Sequence, residues 1–267
     1  MTSLVEVPPA TSPLAAIYEA VAENIPQPEL LFLNYGFWQP GLDDSWMVPA
    51  DARYRRHLNL VRHVLAGTDL RGKSVLEIGC GRGGNCYYLA RYSEAARIVG
   101  IDVCATNLVL ARQNSRLKRV EFVAGDAHRL PFAGSSFDVV LNVESSHCYP
   151  HFDRLLTEAA RVLRNNGLFC LADLWNVDVM ELDWHAREQA LKKCSLQIVA
   201  EENISEQVFQ AMRLPGSISE QLNSLEDARN QSLIDRINRG VKALRAGLAM
   251  GFYSYRLWRL RKSQVLP

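Results

Sequence analysis

Cysteine is scarce: the 267 residues include 6, none in a Cys-x-x-Cys pair and none grouped with histidine at zinc-ligand spacing. A disulfide framework and a structural zinc site are thereby excluded, no metal is expected, and reduced thiols in a cytoplasmic protein are the expectation. An excess of charge of one sign is also missing, with 30 Lys+Arg against 29 Asp+Glu. Nothing would neutralise phosphates in bulk, so nucleic acid is not the expected partner. No apolar run approaches the roughly 20 residues of a membrane span, which excludes integral membrane association. The opening MTSLVEVPPA has neither a basic nor an apolar region, so no secretory leader is expected there. Internal repeats and low-complexity tracts are lacking as well. What is present is apolar content, 48% of the chain, enough for a large core and too much for a disordered chain.

Residues 1–13 carry three prolines and are expected to be a loose tail. Leu14, Ile17, Tyr18 and Val21 repeat at helical spacing, predicting a helix from Leu14 to Asn24 that Pro26 and Pro28 end. The aromatic stretch LLFLNYGFW follows, and a second helix is predicted over Arg53–Leu65. From Lys73 the pattern changes. Short apolar runs at Val75–Ile78, Ile98–Ile101, Val120–Val123, Val139–Val143 and Leu168–Ala172 alternate with helical patterns near 83–92, 105–117, 152–164 and 181–193. Such alternation reads as parallel strands of a doubly wound sheet. A sixth strand is predicted at Leu196–Ala200. Residues 204–250 read as amphipathic helices interrupted at Pro215, Gly216 and Gly240. GFYSYRLWRLRK reads as a last antiparallel strand, with Arg256, Arg259, Arg261 and Lys262 facing solvent.

VLEIGCGRGGNCYYLA is strand, turn and helix. Gly79, Gly81 and Gly83 permit a tight turn and close approach to a ligand. Gly79, Gly81 and Gly84 also fit G-x-G-x-x-G, and Asp102 after the next strand suits a pair of ribose hydroxyls. This spacing alone leaves NAD and S-adenosylmethionine both open. Glu77 favours the second, because a carboxylate there repels a pyrophosphate and tolerates a cation.

Over residues 73–175 the order of the glycine loop, Asp102, Gly125-Asp126-Ala127 and RVLRNNGLFCLADL resembles class I S-adenosylmethionine-dependent methyltransferases. ESSHCYPHFDRLLTEAARVLRNNG and SYRLW are similar to the phthiotriol/phenolphthiotriol dimycocerosates methyltransferases, which O-methylate a hydroxyl of a long polyketide-derived lipid. LNYGFW is typical of natural-product methyltransferases. Asn165-Asn166-Gly167 departs from the family's usual Pro-Gly-Gly, a difference in a turn. The resemblance implies an α/β fold: a doubly wound, seven-stranded Rossmann-like sheet with N-terminal helices and a helical cap insertion. The expected divisions are an N-terminal helical lid segment (14–72), a cofactor-binding core (73–203), the cap (204–250) and a strand completing the core (251–267). It also implies S-adenosylmethionine as cofactor and S-adenosylhomocysteine as product. Glu77, Gly79 and Gly81 would line the methionine end, with Cys80 a small packing group in the same loop. Asp102 would hold the ribose, with Val103 near the adenine. Asp126 would accept from the adenine amino group beside Ala127, and Asn142 would present backbone near the methionine.

His147, just beyond the fourth strand, is the candidate base for deprotonating an alcohol acceptor. Asp173, at the end of the fifth, would orient it or bind the substrate hydroxyl. Glu144 is expected at the methionine end or the wall of the site, and His151 near the substrate. Tyr35 is expected to contact the cofactor, and Phe37 and Trp38 the substrate, since aromatic faces attract a sulfonium and shield the site from water. His57, His63 and His128 read as surface residues without a role. The expected reaction is O-methylation of a small apolar acceptor by a monomer or homodimer. N- or C-methylation, or a cyclase or partner protein that binds S-adenosylmethionine without methyl transfer, remain open at this stage.

Overall fold

The computed structural model describes residues 13–27, 30–176, 184–215, 218–224 and 228–263. The expected tail, apart from Pro13, lies outside these, as do Gly216 and the first residues of the helix predicted from 181. The five parallel runs appear as β1 (Ser74–Ile78), β2 (Arg97–Asp102), β3 (Val120–Ala124), β4 (Phe137–Val143) and β5 (Leu163–Asn176), followed by β6 (Leu196–Asn203) and β7 (Tyr253–Lys262). They form one sheet in the order β3-β2-β1-β4-β5-β7-β6, in which β7 runs antiparallel to both neighbours. The central runs are apolar throughout because both faces are covered. On β1, Val75 joins one core while Leu76 and Ile78 join the other. The first core is shared with α2 (Arg55–Val64), α3 (Gly84–Tyr92) and α4 (Ala105–Gln113); the second with α5 (Phe152–Val162) and α6 (Trp184–Lys193).

Chain direction across the sheet reverses between β1 and β4. Open α/β sheets bind ligands at such a point, beyond the carboxyl ends of the strands. Three segments converge over it: α1 (Pro13–Asn24), the aromatic stretch, and a helical group made of α7 (Ser205–Ala211), α8 (Ile218–Asn223) and α9 (Gln231–Met250). Some predicted boundaries move. The second predicted helix begins as a 3-10 turn, Pro49–Tyr54, and the helix predicted near 105–117, after the second strand, ends at Gln113, before a 3-10 turn at Ser115–Leu117. The predicted break at Gly240 is absent, and α9 runs through it. An interior glycine costs a helix on the order of 1 kcal/mol relative to alanine without ending it. Of the basic residues of β7, Arg261 is exposed as expected, but the other three are engaged by the protein. Arg259 donates to the Val64 and His63 carbonyls and to Glu202, Arg256 pairs with Glu201, and Lys262 donates to the Leu163 carbonyl.

The glycine loop and α1 are joined by one side chain. The buried Arg82 guanidinium donates to the carbonyls of Val21 (3.0 Å), Ile25 (2.6 Å), Gln27 (3.4 Å) and Leu30 (3.5 Å), thereby capping the exit of α1. Burial lowers its pKa to about 10, so it remains a cation at neutral pH. Replacing Arg82 with methionine strands those acceptors. We expect Arg82→Met to lose about 2–3 kcal/mol of stability and to speed hydrogen exchange in residues 13–27 while the amides of β1 and β4 keep their protection.

Candidate active site

Gly79, at the end of β1, has φ 72°, and its N–H donates to the Ile101 carbonyl (2.8 Å), bending the chain across the tip of β2. A Cβ at this position would lie 2.4 Å from Ser145 Oγ and 2.5 Å from Tyr149 Oη. Only glycine lets the loop come so close to the turn after β4. Above the loop is a cleft floored by Glu77 and Gly79–Gly81, walled by Asp102 and Val143–Ser145, and roofed by Tyr18 of α1 with Leu33 and Asn34.

The acids of the cleft are held differently. Glu77 is buried and accepts from Asn85 Nδ2 (2.8 Å) and Cys86 Sγ (2.9 Å). Asn85 Oδ1 accepts from Asn34 Nδ2 (3.1 Å), and Asn34 Oδ1 lies 3.0 Å from His57 Nδ1. With the Asn85 and Asn34 amides oriented in this way, the atom facing His57 Nδ1 is an acceptor, so His57 carries its proton on Nδ1. Burial, reinforced by Arg56, drops the His57 pKa to about 3, so the ring is neutral. Burial raises the Glu77 carboxyl to about 8 despite its hydrogen bonds. Asp102 accepts from the Gly81 N–H (2.7 Å) and the Cys104 N–H (2.8 Å), locking the loop to β2, and burial raises its pKa too.

Beyond Tyr18 and Leu33, which line both spaces, lies a second cavity of about 750 Å³. Ile17 and Val21 of α1, Leu30, Leu222 of α8, and Ile237 and Val241 of α9 give it apolar walls. At the junction, His147 Nε2 is 3.5 Å from the Tyr18 hydroxyl, and His147 Nδ1 is 2.7 Å from Asp173 Oδ1. Asp173 is fully buried. It also accepts from the N–H of Leu174 (2.7 Å), the hydroxyl of Ser146 (2.6 Å) and the N–H of His147 (2.9 Å). Burial opposes its ionisation, but the His147 ring and these donors outweigh it and lower its pKa. Burial likewise disfavours the imidazolium, yet Asp173 holds the His147 pKa well above the ordinary value. Nδ1 therefore carries a proton toward Asp173, and Nε2 is the atom free to exchange one with the junction. Glu144 sits at φ 51°, a strained backbone for a non-glycine residue. Its carboxyl accepts from the Tyr35 N–H (2.9 Å) and the Tyr255 hydroxyl (2.9 Å), and burial lifts its pKa to about 8.

Of the residues singled out in the sequence, Glu77, Gly79, Cys80, Gly81, Asp102 and Glu144 line the cleft, and His147 and Asp173 pair behind Tyr18 without lining it. Others fall elsewhere. Tyr35 lines the second cavity instead of the cleft. Asn142 braces the wall from beneath, donating to Ile78 O (3.0 Å) and Ser145 Oγ (2.8 Å), while Val143–Ser145 form the surface. Val103, Asp126 and Ala127 lie outside the enclosed space; Ala127 joins the second core, and Asp126 accepts from His128 Nδ1 (2.8 Å). Phe37 is buried and stacked on His63 (centroids 4.2 Å apart), and Trp38 donates its N–H to the Gln207 carbonyl. Both fasten the aromatic stretch to its neighbours and line neither cavity, which corrects the substrate contact expected of them. His151 is exposed and edge-on to His128, away from the junction. The surface reading fails for His57, which is buried in the Glu77 chain; His63 is part-exposed on α2 and bonds Glu202 (2.8 Å), and His128 lies in a loop. Tyr18, Leu33, Asn34, Ser145, Cys148 and Tyr149 line the cleft without having been singled out for it. Only the helical spacing of Tyr18 had signalled anything, and that signal was one of packing.

The strand order and the loop at the reversal define a Rossmann-like methyltransferase architecture. The comparisons narrow this. A methyltransferase domain family matches residues 76–171. The phthiotriol/phenolphthiotriol dimycocerosates methyltransferase of Mycobacterium tuberculosis is 42% identical over 157 residues, 59% of this chain and 58% of that protein. The chain thus spans little more than half the length of this relative. The fatty-acid O-methyltransferase of Mycolicibacterium smegmatis is 36% identical over 222 residues, 83% of this chain and 75% of that protein. Among solved structures, the [4+2]-cyclase SpnF aligns with a TM-score of 0.72 at 21% identity, covering 93% of this chain and 95% of that one, a likeness of fold. The chain belongs to the S-adenosylmethionine-dependent methyltransferase family.

The cleft fits that cofactor on its own terms. Its floor is a glycine cradle that a Cβ would fill, three carboxyl groups line it, and the buried Asn107 amide oxygen on its wall has no partner among the described residues. A cation placed near Glu77 favours its carboxylate, so binding lowers the Glu77 pKa from about 8 and expels a proton at neutral pH. Calorimetry of S-adenosylmethionine binding in buffers of different ionisation heat should detect this release, with affinity rising as pH climbs toward 8. Glu77→Gln should abolish the Glu77-dependent part; an unchanged proton count in that variant contradicts the assignment.

Proposed function

We propose that this chain transfers the methyl group of S-adenosylmethionine to a hydroxyl oxygen of an apolar acceptor, releasing S-adenosylhomocysteine. The observation that carries the reading is the pairing of His147 with the buried Asp173, with His147 Nε2 facing the hydroxyl of Tyr18, the side chain that lines both the polar cleft and the apolar cavity. The cofactor, when bound, supplies an electrophilic methyl on a sulfonium. Glu77 and the glycine loop would hold its methionine part and Asp102 its ribose, with Asp126 reserved for the adenine. The segments 14–72 and 204–250 act as the cap that holds the acceptor and excludes water.

Asp173 keeps the His147 ring in one orientation with Nε2 toward Tyr18. An alcohol must lose its proton as the new C–O bond forms, and Nε2 is placed to take it. The Tyr18 phenol stays neutral, because burial raises its pKa well above the ordinary value, so it can donate to the acceptor oxygen and fix its position. Apolar walls agree with relatives whose names specify lipid substrates. A second reading, esterification of a carboxylate, is favoured by the longer alignment with the fatty-acid O-methyltransferase. A carboxylate arrives ionised and needs no base, which separates the two.

Methyl-labelled cofactor offered with long-chain alcohols and fatty acids should give a mass gain of one methyl on the alcohols. His147→Ala should lower kcat for an alcohol by about 10²–10⁴-fold and leave cofactor affinity unchanged. Undiminished turnover of the alcohol by this variant contradicts the base, and transfer to fatty acids alone establishes the second reading.

The base must be neutral to act, and Asp173 favours its charged form. The rate with alcohols should therefore rise with pH, with an inflection above the ordinary histidine value. Asp173→Asn should move that inflection downward while cutting kcat; a rate that is flat between pH 6 and pH 9 rules out His147 as the titrating group.

A further inference from the structure

Gly240 lies in the middle of α9, at the exposed rim of the apolar cavity. Glycine weakens a helix at such a position, and the packed protein gives no reason for it. A Cβ built on Gly240 meets no atom within 4 Å, and the backbone there is not left-handed. Gly247, in the same helix, shows the contrast: its Cβ would fall 2.0 Å from the Tyr253 ring, so packing itself demands glycine. Residues three and four apart share a helix face. Ile237 and Val241 both face the cavity, and Gly240 opens a gap in that stripe. Across the cavity stand Ile17 and Val21 of α1, and its inner end is the Tyr18 junction.

We propose that Gly240 is a specificity-determining position whose missing side chain gives room to the long hydrocarbon chain of the acceptor. The cavity then takes a single-headed amphiphile, with its oxygen at Tyr18 and His147 and its chain running past α9. The inference rests on the proposed reaction for the identity of the chain as acceptor, and on the cavity alone for its being a chain site.

The variants Gly240→Ala, Gly240→Leu and Gly240→Phe test it. Alanine should raise Tm by about 2 °C or more, since it stabilises the helix and touches nothing. Calorimetry with S-adenosylhomocysteine should give affinities within about twofold of the unaltered protein for all three, which also certifies that each is folded. A fluorescent polyene fatty acid serves as the probe, displaced by short, medium and long saturated alcohols. The unaltered protein should favour the long alcohols, and leucine and phenylalanine should weaken them by at least about tenfold while sparing the short ones. Probe binding indifferent to residue 240, chains of every length weakened alike, or no probe binding by the unaltered protein would each overturn the proposal. Graded binding without methyl transfer to the alcohols would instead refute the reaction and leave Gly240 as the chain gauge.

Discussion

Four carboxyl groups stand toward the carboxyl ends of four adjacent strands: Asp102 as the last residue of β2, Glu77 on β1, Glu144 just after β4 and Asp173 on β5. Crowding acids in a poorly hydrated edge is unfavourable unless each is paired, hydrogen-bonded or protonated. The protein uses all three solutions. Asp173 is ringed by four donors and stays ionised, and Asp102 is gripped by two backbone N–H groups. Glu77 and Glu144 hold their protons up to about pH 8. Environments that push neighbouring acids apart in pKa assign them different work. In the proposed reaction the ionised one orients a base, while the neutral ones would respond to the positive charge that a sulfonium cofactor brings.

The roof is as consequential as the floor. Arg82 belongs to the glycine loop by sequence, yet it spends its guanidinium on α1. Tyr18, on that same helix, closes the cleft on one side and the apolar cavity on the other. The cofactor loop and the partition between the two cavities are thus mechanically one unit. The aromatic stretch is fastened independently, through Phe37 on His63, Trp38 on Gln207 and the Tyr35 N–H on Glu144. Its bulk serves as anchorage, and its backbone and smaller polar groups reach the site.

Much of the sheet was legible because strands buried on both faces leave short apolar runs that need no partner to be recognised. The loop at Gly79 and the acids at strand tips were legible for a related reason: their positions are tied to strands already located. His147 and Asp173 could be paired on paper because both follow strand ends. Residues that reach the site from outside the sheet could not. Tyr18 looked like packing, since one helical turn gives the same spacing whether it faces a core or a ligand. His57 sits in a polar-looking stretch, RRHLNL, and its burial depends on Asn34 and Asn85, far off in sequence. Gly240 was read as a break because propensity ignores what a helix leans on. The basic residues of β7 looked solvent-facing because their carbonyl partners, at His63, Val64 and Leu163, carry no trace in side-chain composition.

The position of β7 has a consequence for synthesis on the ribosome. It slots between β5 and β6, although both are made earlier and it follows the long helix α9. Until it emerges, β6 has no ladder to join, β5 has an open edge, and Glu144 lacks the Tyr255 hydroxyl. The nascent chain must therefore carry an unsatisfied sheet margin from the end of β5 until β7 emerges, and the edge that holds Glu144 is completed only then.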